Sequence, residues 1–310
     1  MLQDLQRPAA LRPGDTIGVV APSCWLDEGK IQAATALLEQ AGYRVHVQPQ
    51  VHARHNIFAG DDATRAQGVM EAFCNPEIRA ILCARGGSGA YRVVDLLDYE
   101  VIARNPKIFC GFSDMTALLH ILQRRSRLVT YHGTMLWGLV THADPRLTQH
   151  LLDMLAGNVQ DFPMDQTHVL NSGTAQGCLL GGNLSVFLTL LGTPDQPDPK
   201  GKILFLEDLC EEYYAVDRSL HHMKRAGMFE GIAGFILGEM VDMHDKADNG
   251  PYGISLAQML HDVLPPGIPV VMNAPCGHGS MLATYPLGVP VRFEATASGA
   301  TLRLMEAAVG

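Results

Sequence analysis

Three side chains of this sequence combine residue types and settings that suit acyl transfer: Ser113, Glu207 and His278. Ser113 follows the buried-looking run Ile108–Gly111 and precedes a helical pattern that begins directly behind it. A serine so placed can sit in a sharp turn above a sheet, with the backbone N–H of Asp114 facing a developing oxyanion. The local pattern is G-x-S-x-M, half of the usual G-x-S-x-G elbow. Ser113 followed by Asp-Met-Thr also reads as a helix N-cap, so the segment alone leaves both readings open. Glu207 ends the apolar run Lys202–Leu206, where a carboxylate can orient an imidazole and stabilise its charged form. Asp208, Glu211 and Glu212 compete for that role, and a solvated acidic loop is the plain alternative. His278 stands in a glycine-flanked loop, Pro275-Cys-Gly-His-Gly-Ser, from which a neutral imidazole could take a serine proton and pass it to a leaving amine.

Arg85-Gly86-Gly87-Ser88-Gly89 adds a fourth feature at a predicted strand end, where open α/β sheets place their ligands. Glycines there let backbone N–H groups approach a substrate oxygen, although a tight strand-to-helix turn needs the same residues. The loop fits neither a dinucleotide fingerprint nor a P-loop. Of the 13 histidines, His52, His55, His221 and His222 lack convincing metal partners and read as surface residues. His132, in Tyr131-His-Gly-Thr, is a candidate neighbour of the site.

These residues need a scaffold, and the first half supplies alternating signals. Strands are predicted at Thr16–Ala21, Tyr43–Val47, Ala80–Ala84 and Lys107–Gly111. Helices are predicted at about 27–40, closed by Gly42, and at 64–75, 91–97 and 115–124. Short apolar strands separated by helices imply a parallel sheet covered on both faces, hence an α/β fold with a three-layer N-terminal domain. Asp144-Pro145, Gly157-Asn158 and Phe162-Pro163 punctuate a weaker stretch. The division expected is therefore a first domain over 1–146, a connection over 147–174 and a second domain over 175–310. In the second, strands are expected at 175–180, 202–206, 234–238, 269–272 and 289–294, with helices at 184–191, 214–226 and 255–264.

Composition narrows the class. The chain has 310 residues, enough for two cores, and 23 basic against 32 acidic residues leave a net charge of −9. Without basic runs, nucleic acid and anionic membranes are poor partners. No apolar stretch reads as a signal peptide or membrane span, so a cytoplasmic location is expected. Seven scattered cysteines with no C-x-x-C pair suggest reduced, mostly buried thiols. Neither metal nor cofactor is expected.

Taken in order, Ala21-Pro22-Ser23, Arg-Gly-Gly-x-Gly (85–89), Gly-Phe-Ser-Asp (111–114), Gly-Gly-Asn-Leu (181–184), Leu-Glu-Asp (206–208) and Gly-His-Gly (277–279) resemble the LD-carboxypeptidase family of serine peptidases. That family includes muramoyltetrapeptide carboxypeptidase and the microcin C immunity peptidases, and the likeness runs from about Leu11 to Arg292. It implies a nucleophile domain, a smaller swivelling, barrel-like α/β domain, and a Ser113–Glu207–His278 triad at their junction. It also implies an oxyanion hole from the N–H groups of Asp114 and Gly87, and a homodimer. Substrate contacts are expected from Arg85, Gly86, Ser88 and Asn183. The implied reaction is hydrolysis of the L-diamino acid–D-alanine bond of cytoplasmic muropeptides during peptidoglycan recycling. Ser88, where many relatives carry an aromatic, and Thr134, where proline is common, are departures that bear on the substrate. The alternatives are an immunity-type peptidase acting on a peptidyl aminoacyl-adenylate analogue, and an inactive binding protein of the same fold. A muropeptide's carboxylates require a local cationic or N–H-rich pocket in so acidic a protein; Arg85 is the candidate, and a structural ion pair holding the loop is the equal alternative for it.

Overall fold

The computed structural model describes residues 5–142, 144–245, 250–279 and 281–310. The start of the chain, read above as lacking a signal peptide, and Ser280 of the histidine loop fall outside them in part or whole. The chain forms two compact units, one of Met1–Val159, Ala283–Gly288 and Ala307–Gly310, the other of Gln160–Leu282 and Val289–Glu306.

In the first unit, β1 (Thr16–Val20), β2 (Arg44–Val47), β3 (Ile78–Cys83), β4 (Ile108–Gly111) and β5 (Thr130–His132) pair in parallel in the order β5-β4-β3-β1-β2. β1 and β4 are buried at every position, while the edge strand β2 alternates between half-buried and exposed residues. Continuous burial is what a parallel strand covered on both faces requires. The covering helices are α1 (Glu28–Gln40), α2 (Asp62–Cys74), α3 (Tyr99–Arg104), α4 (Thr116–Ser126), α5 (Leu136–Thr141) and α6 (Pro145–Ala156). Asp27 caps α1 through Gly29 N, and Gly42 follows it at φ 94, in the left-handed region that ends helices. The sheet reverses its winding between β1 and β3, so the loops after those strands diverge. That is the switch point at which open α/β sheets form crevices.

Two expectations are corrected here. Residues 91–97 form two short 3-10 turns, Ala90–Arg92 and Val94–Leu96, rather than one helix. Tertiary partners take the groups that would start a helix: Ala90 N–H donates to Asp114 and the Gly89 carbonyl accepts from Arg65. The stretch 147–174 is not a bare connection, because α6 fills its first part. Asp144 caps α6 through Arg146 N, Pro145 occupies the first turn, and Gly157 closes the helix at φ 82.

The second unit holds β6 (Asp161–Phe162), β7 (His168–Asn171), β8 (Gly173–Asn183), β9 (Ile203–Leu209), β10 (Gly234–Val241) and β11 (Val270–Ala274). Helices α7 (Leu184–Leu188), α8 (Tyr213–Arg225) and α9 (Leu256–Val263) lie between these strands in sequence. β8, β9, β10 and β11 are parallel neighbours. The chain then returns to the first unit as β12 (Tyr285–Leu287), antiparallel to β5 at the sheet edge. It finishes the second unit with β13 (Pro290–Thr296) and β14 (Gly299–Leu304). The eight strands run in the order β6-β14-β13-β8-β9-β10-β11-β7, and β7 comes within 8 Å of β13 and β14. The sheet therefore curls toward a barrel. Among the described residues no helix is long and apolar enough to cross a membrane.

Candidate active site

Ser113 occupies the turn between β4 and α4 with φ 62, left-handed for a residue that has a Cβ. The 3-10 turn Ser113–Met115 is preceded by Phe112 and α4 by Met115, and neither of these cap positions uses a side chain. Ser113 is thus the first residue inside the turn, not its cap. The N–H of Asp114 lies in that first turn, where backbone donors have no intrahelical acceptor. Gly111 is needed here, since a Cβ on it would come 2.7 Å from Met115 Cγ and 3.1 Å from Cys83 Sγ.

The glycine loop passes directly over the serine. A Cβ on Gly86 would stand 3.2 Å from Ser113 Cβ and 3.3 Å from its Oγ, and one on Gly87 would meet Cys24 Sγ at 2.6 Å. Gly87 also takes φ 114, which only glycine adopts freely. Asp114 ties this loop to the serine turn. Its buried Oδ2 accepts the Ala90 N–H at 2.8 Å and lies 2.6 Å from Ser23 Oγ, which is also 2.8 Å from the Ser88 carbonyl. Arg65, fully buried, donates to the carbonyls of Pro22 and Gly89 and pairs with Asp62. Burial pulls its guanidinium below the usual arginine range, with the Asp62 carboxylate opposing. Nothing in the sequence pattern singled out this arginine, because in the first turn of α2 it reads as an ordinary helix-start charge. His132 is buried and meets Phe112 edge-on, ring centres 5.9 Å apart.

The second unit assembles the other expected pair. Glu207 lies within β9, one residue before the buried Asp208, and is fully shielded from solvent; His278 Nδ1 lies 2.7 Å from its Oε2. The same oxygen accepts the His278 backbone N–H at 3.2 Å, so ring and main chain are held together. With a carboxylate accepting from Nδ1, Nε2 becomes the basic nitrogen. Each glycine beside the histidine makes room for a carboxylate: a Cβ on Gly277 would stand 2.2 Å from Glu207 Oε2, and one on Gly279 1.4 Å from Glu239 Oε2. Glu239, near the end of β10, has no sequence signal of its own. Burial and these two carboxylates push the neighbouring Cys276 thiol well up.

The expected substrate contacts divide. Arg85 is half-buried and stacks on Trp137, and Gly86 faces Ser113. Ser88 is exposed, with its carbonyl tied to Ser23. Asn183, expected to touch substrate, is buried and caps α7: Oδ1 accepts from Val186 N and Ser185 Oγ, and Nδ2 donates to Asp208 at 2.7 Å. Its amide serves the fold because Gly181 and Gly182 bring β8 straight into that helix. Asp208 accepts from Ser185 N and Leu209 N as well, which leaves Glu207 as the carboxylate on the histidine.

A parallel sheet with a serine at a strand-to-helix turn, and a separate buried Glu–His pair, is the equipment of an α/β serine hydrolase. Residues 17–133 match the N-terminal domain of LD-carboxypeptidase and residues 176–293 its C-terminal domain, and the chain belongs to that family. It is a serine carboxypeptidase. A Bacillus subtilis protein named "Probable murein peptide carboxypeptidase" is 35% identical, over 91% of this chain and 89% of its own. Among solved structures, a muramoyltetrapeptide carboxypeptidase from Oxalobacter formigenes is 27% identical with a TM-score of 0.83, covering 94% and 99% of the two chains. An MccF-like protein from Bacillus anthracis is 26% identical with a TM-score of 0.84, covering 96% and 98%.

Proposed function

We propose that this enzyme removes the terminal D-alanine from murein tetrapeptides in the cytoplasm, with Ser113 as nucleophile, His278 as general base and acid, and Glu207 as its orienting carboxylate. The bond from His278 Nδ1 to the buried Glu207 carries the reading. It leaves Nε2 as the basic nitrogen and stabilises the imidazolium that forms once that nitrogen takes a proton. In the proposed cycle Ser113 Oγ attacks the carbonyl of the L-centre of the diamino acid while His278 accepts the hydroxyl proton. The N–H groups of Asp114 and Gly87 hold the oxyanion, each donor contributing about 3 kcal/mol to the transition state. Collapse breaks the C–N bond, and His278 returns the proton to the D-alanine amine. Water, deprotonated by the same imidazole, then releases the tripeptide and frees the serine.

The murein substrate is preferred because the murein-named relative shares 35% of its residues with this chain, against 26% for the MccF-like structure. The test is incubation of the protein with a disaccharide-tetrapeptide, following D-alanine by mass spectrometry. Release by the wild type and its loss in Ser113→Ala, at nearly unchanged melting temperature, is the expected result. Undiminished release by Ser113→Ala would overturn the assignment.

A further inference from the structure

Trp137, one of two tryptophans in the chain, has two cations over its ring. The Arg85 guanidinium carbon lies 5.1 Å from the ring centre and Lys30 Nζ 5.9 Å. The backbone N–H of Trp137 donates to the Ala84 carbonyl at 2.9 Å, which brings Trp137 beside the next residue, Arg85. Among the described residues Arg85 otherwise reaches only the Trp25 carbonyl, at 3.4 Å, and its buried Nε has no acceptor there. Among the described residues neither Arg85 nor Lys30 has a carboxylate partner, whereas Arg65, Arg92, Arg125, Arg146, Arg292 and Arg303 each have one. In a chain with 32 acidic and 23 basic residues, an arginine without an anion is a surplus charge. Arg54, which lies over Trp25, is by contrast occupied by the carbonyls of Leu26, Val51 and Ala53. A planar guanidinium held on an indole and missing an anion is a ready receptor for a carboxylate.

Its position gives the receptor a purpose. Arg85 Nη2 lies 3.9 Å from the place of a Cβ on Gly87, and the place of a Cβ on Gly86 is 3.3 Å from Ser113 Oγ. The cation is therefore within one residue of the backbone that faces the serine. In a peptide cut at its last bond, only the amide nitrogen and one Cα separate the scissile carbonyl from the terminal carboxylate. We propose that Arg85, held on Trp137 and supported by Lys30, binds the free α-carboxylate of the substrate's last residue and so confines the enzyme to chain ends. This deepens the proposed function and rests on Ser113 being the nucleophile.

The test measures binding calorimetrically in a Ser113→Ala background, using a disaccharide-tetrapeptide with a free terminal carboxylate and its C-terminal amide. Ser113→Ala should bind the acid about 30-fold more tightly than the amide, the range of a hydrogen bond to a charged group. Adding Arg85→Gln should bring acid binding down to that of the amide and leave amide binding unchanged, while Lys30→Gln should reduce the preference less. Arg85→Lys keeps the charge without the planar fork and should retain part of the preference. It decides the matter if Arg85→Gln does not melt cooperatively. An acid preference that survives both Arg85 substitutions overturns the carboxylate site, as does equal binding of acid and amide by Ser113→Ala. If the wild type releases no D-alanine yet Ser113→Ala prefers the acid through Arg85, the murein reading falls and the carboxylate site stands.

Discussion

Ser113 carries its chemistry at a conformational cost. A side chain in the left-handed region costs about 1–2 kcal/mol, because its Cβ crowds the following carbonyl. The surroundings hold it there: Asp114 is fixed by Ala90 N–H and Ser23, and Phe112 is packed on His132. The strain separates two substitutions that both remove the nucleophile. Alanine keeps the Cβ and the strain, whereas glycine removes both, set against about 0.5–1 kcal/mol of extra chain entropy in the unfolded state. Ser113→Gly is expected to be more stable than Ser113→Ala by about 1 kcal/mol, or roughly 2–4 °C in melting temperature for a chain of this size. Neither variant should release D-alanine. Equal melting temperatures would mean that the turn stores no such strain.

The elements that hold the second half of the site depend on what is missing from the histidine loop. Gly277 has no room for a methyl group, since a Cβ would lie 2.2 Å from Glu207 Oε2 and 2.5 Å from its Cγ. Gly277→Ala must displace a carboxylate sealed in the core and break its bonds to the His278 ring and backbone. The expected outcome is a loss of about 2–3 kcal/mol in stability by overpacking, with D-alanine release falling at least as far as in Glu207→Gln. Wild-type turnover by Gly277→Ala would show that Glu207 can move without consequence. Only part of the site is legible in the amino-acid sequence. Strand ends and glycines leave marks in the sequence, so Ser113, Glu207, His278 and the 85–89 loop were legible as candidates. Arg65, Glu239 and Trp137 were not, because their roles come from contacts with residues distant in sequence. The same division holds for the elements. The buried strands of the first sheet announce themselves as apolar runs, while α6 was hidden because Asp144-Pro145, a helix start, also reads as a break. β12 was hidden because a three-residue edge strand containing Pro286 has no pattern to detect.

At the scale of the whole chain, the first unit is completed only by residues that follow most of the second. β12 covers the β5 edge, and the buried Tyr131 hydroxyl donates to the Ala308 carbonyl at 2.7 Å. Sequence order suggested a single crossing, since local signals cannot reveal a strand whose partner lies more than a hundred residues earlier. One of the joints in this return is sensitive to acid. His150, on α6, accepts the Thr284 backbone N–H at Nδ1, 3.2 Å away, and burial holds its imidazole down to about 4. Protonation would turn that acceptor into a donor facing a donor. The unfolded chain has an ordinary histidine near 6.5, so between that value and about 4 it binds more protons than the folded chain. Stability is therefore complete above pH 6.5 and is lost as pH falls toward 4, by about 2–3 kcal/mol at pH 4.5. His150→Asn offers an amide oxygen near Nδ1 without a titrating ring. Urea unfolding of both proteins from pH 7.5 to 4.5 should show the wild type declining more steeply by that amount, and parallel declines would remove His150 as the cause.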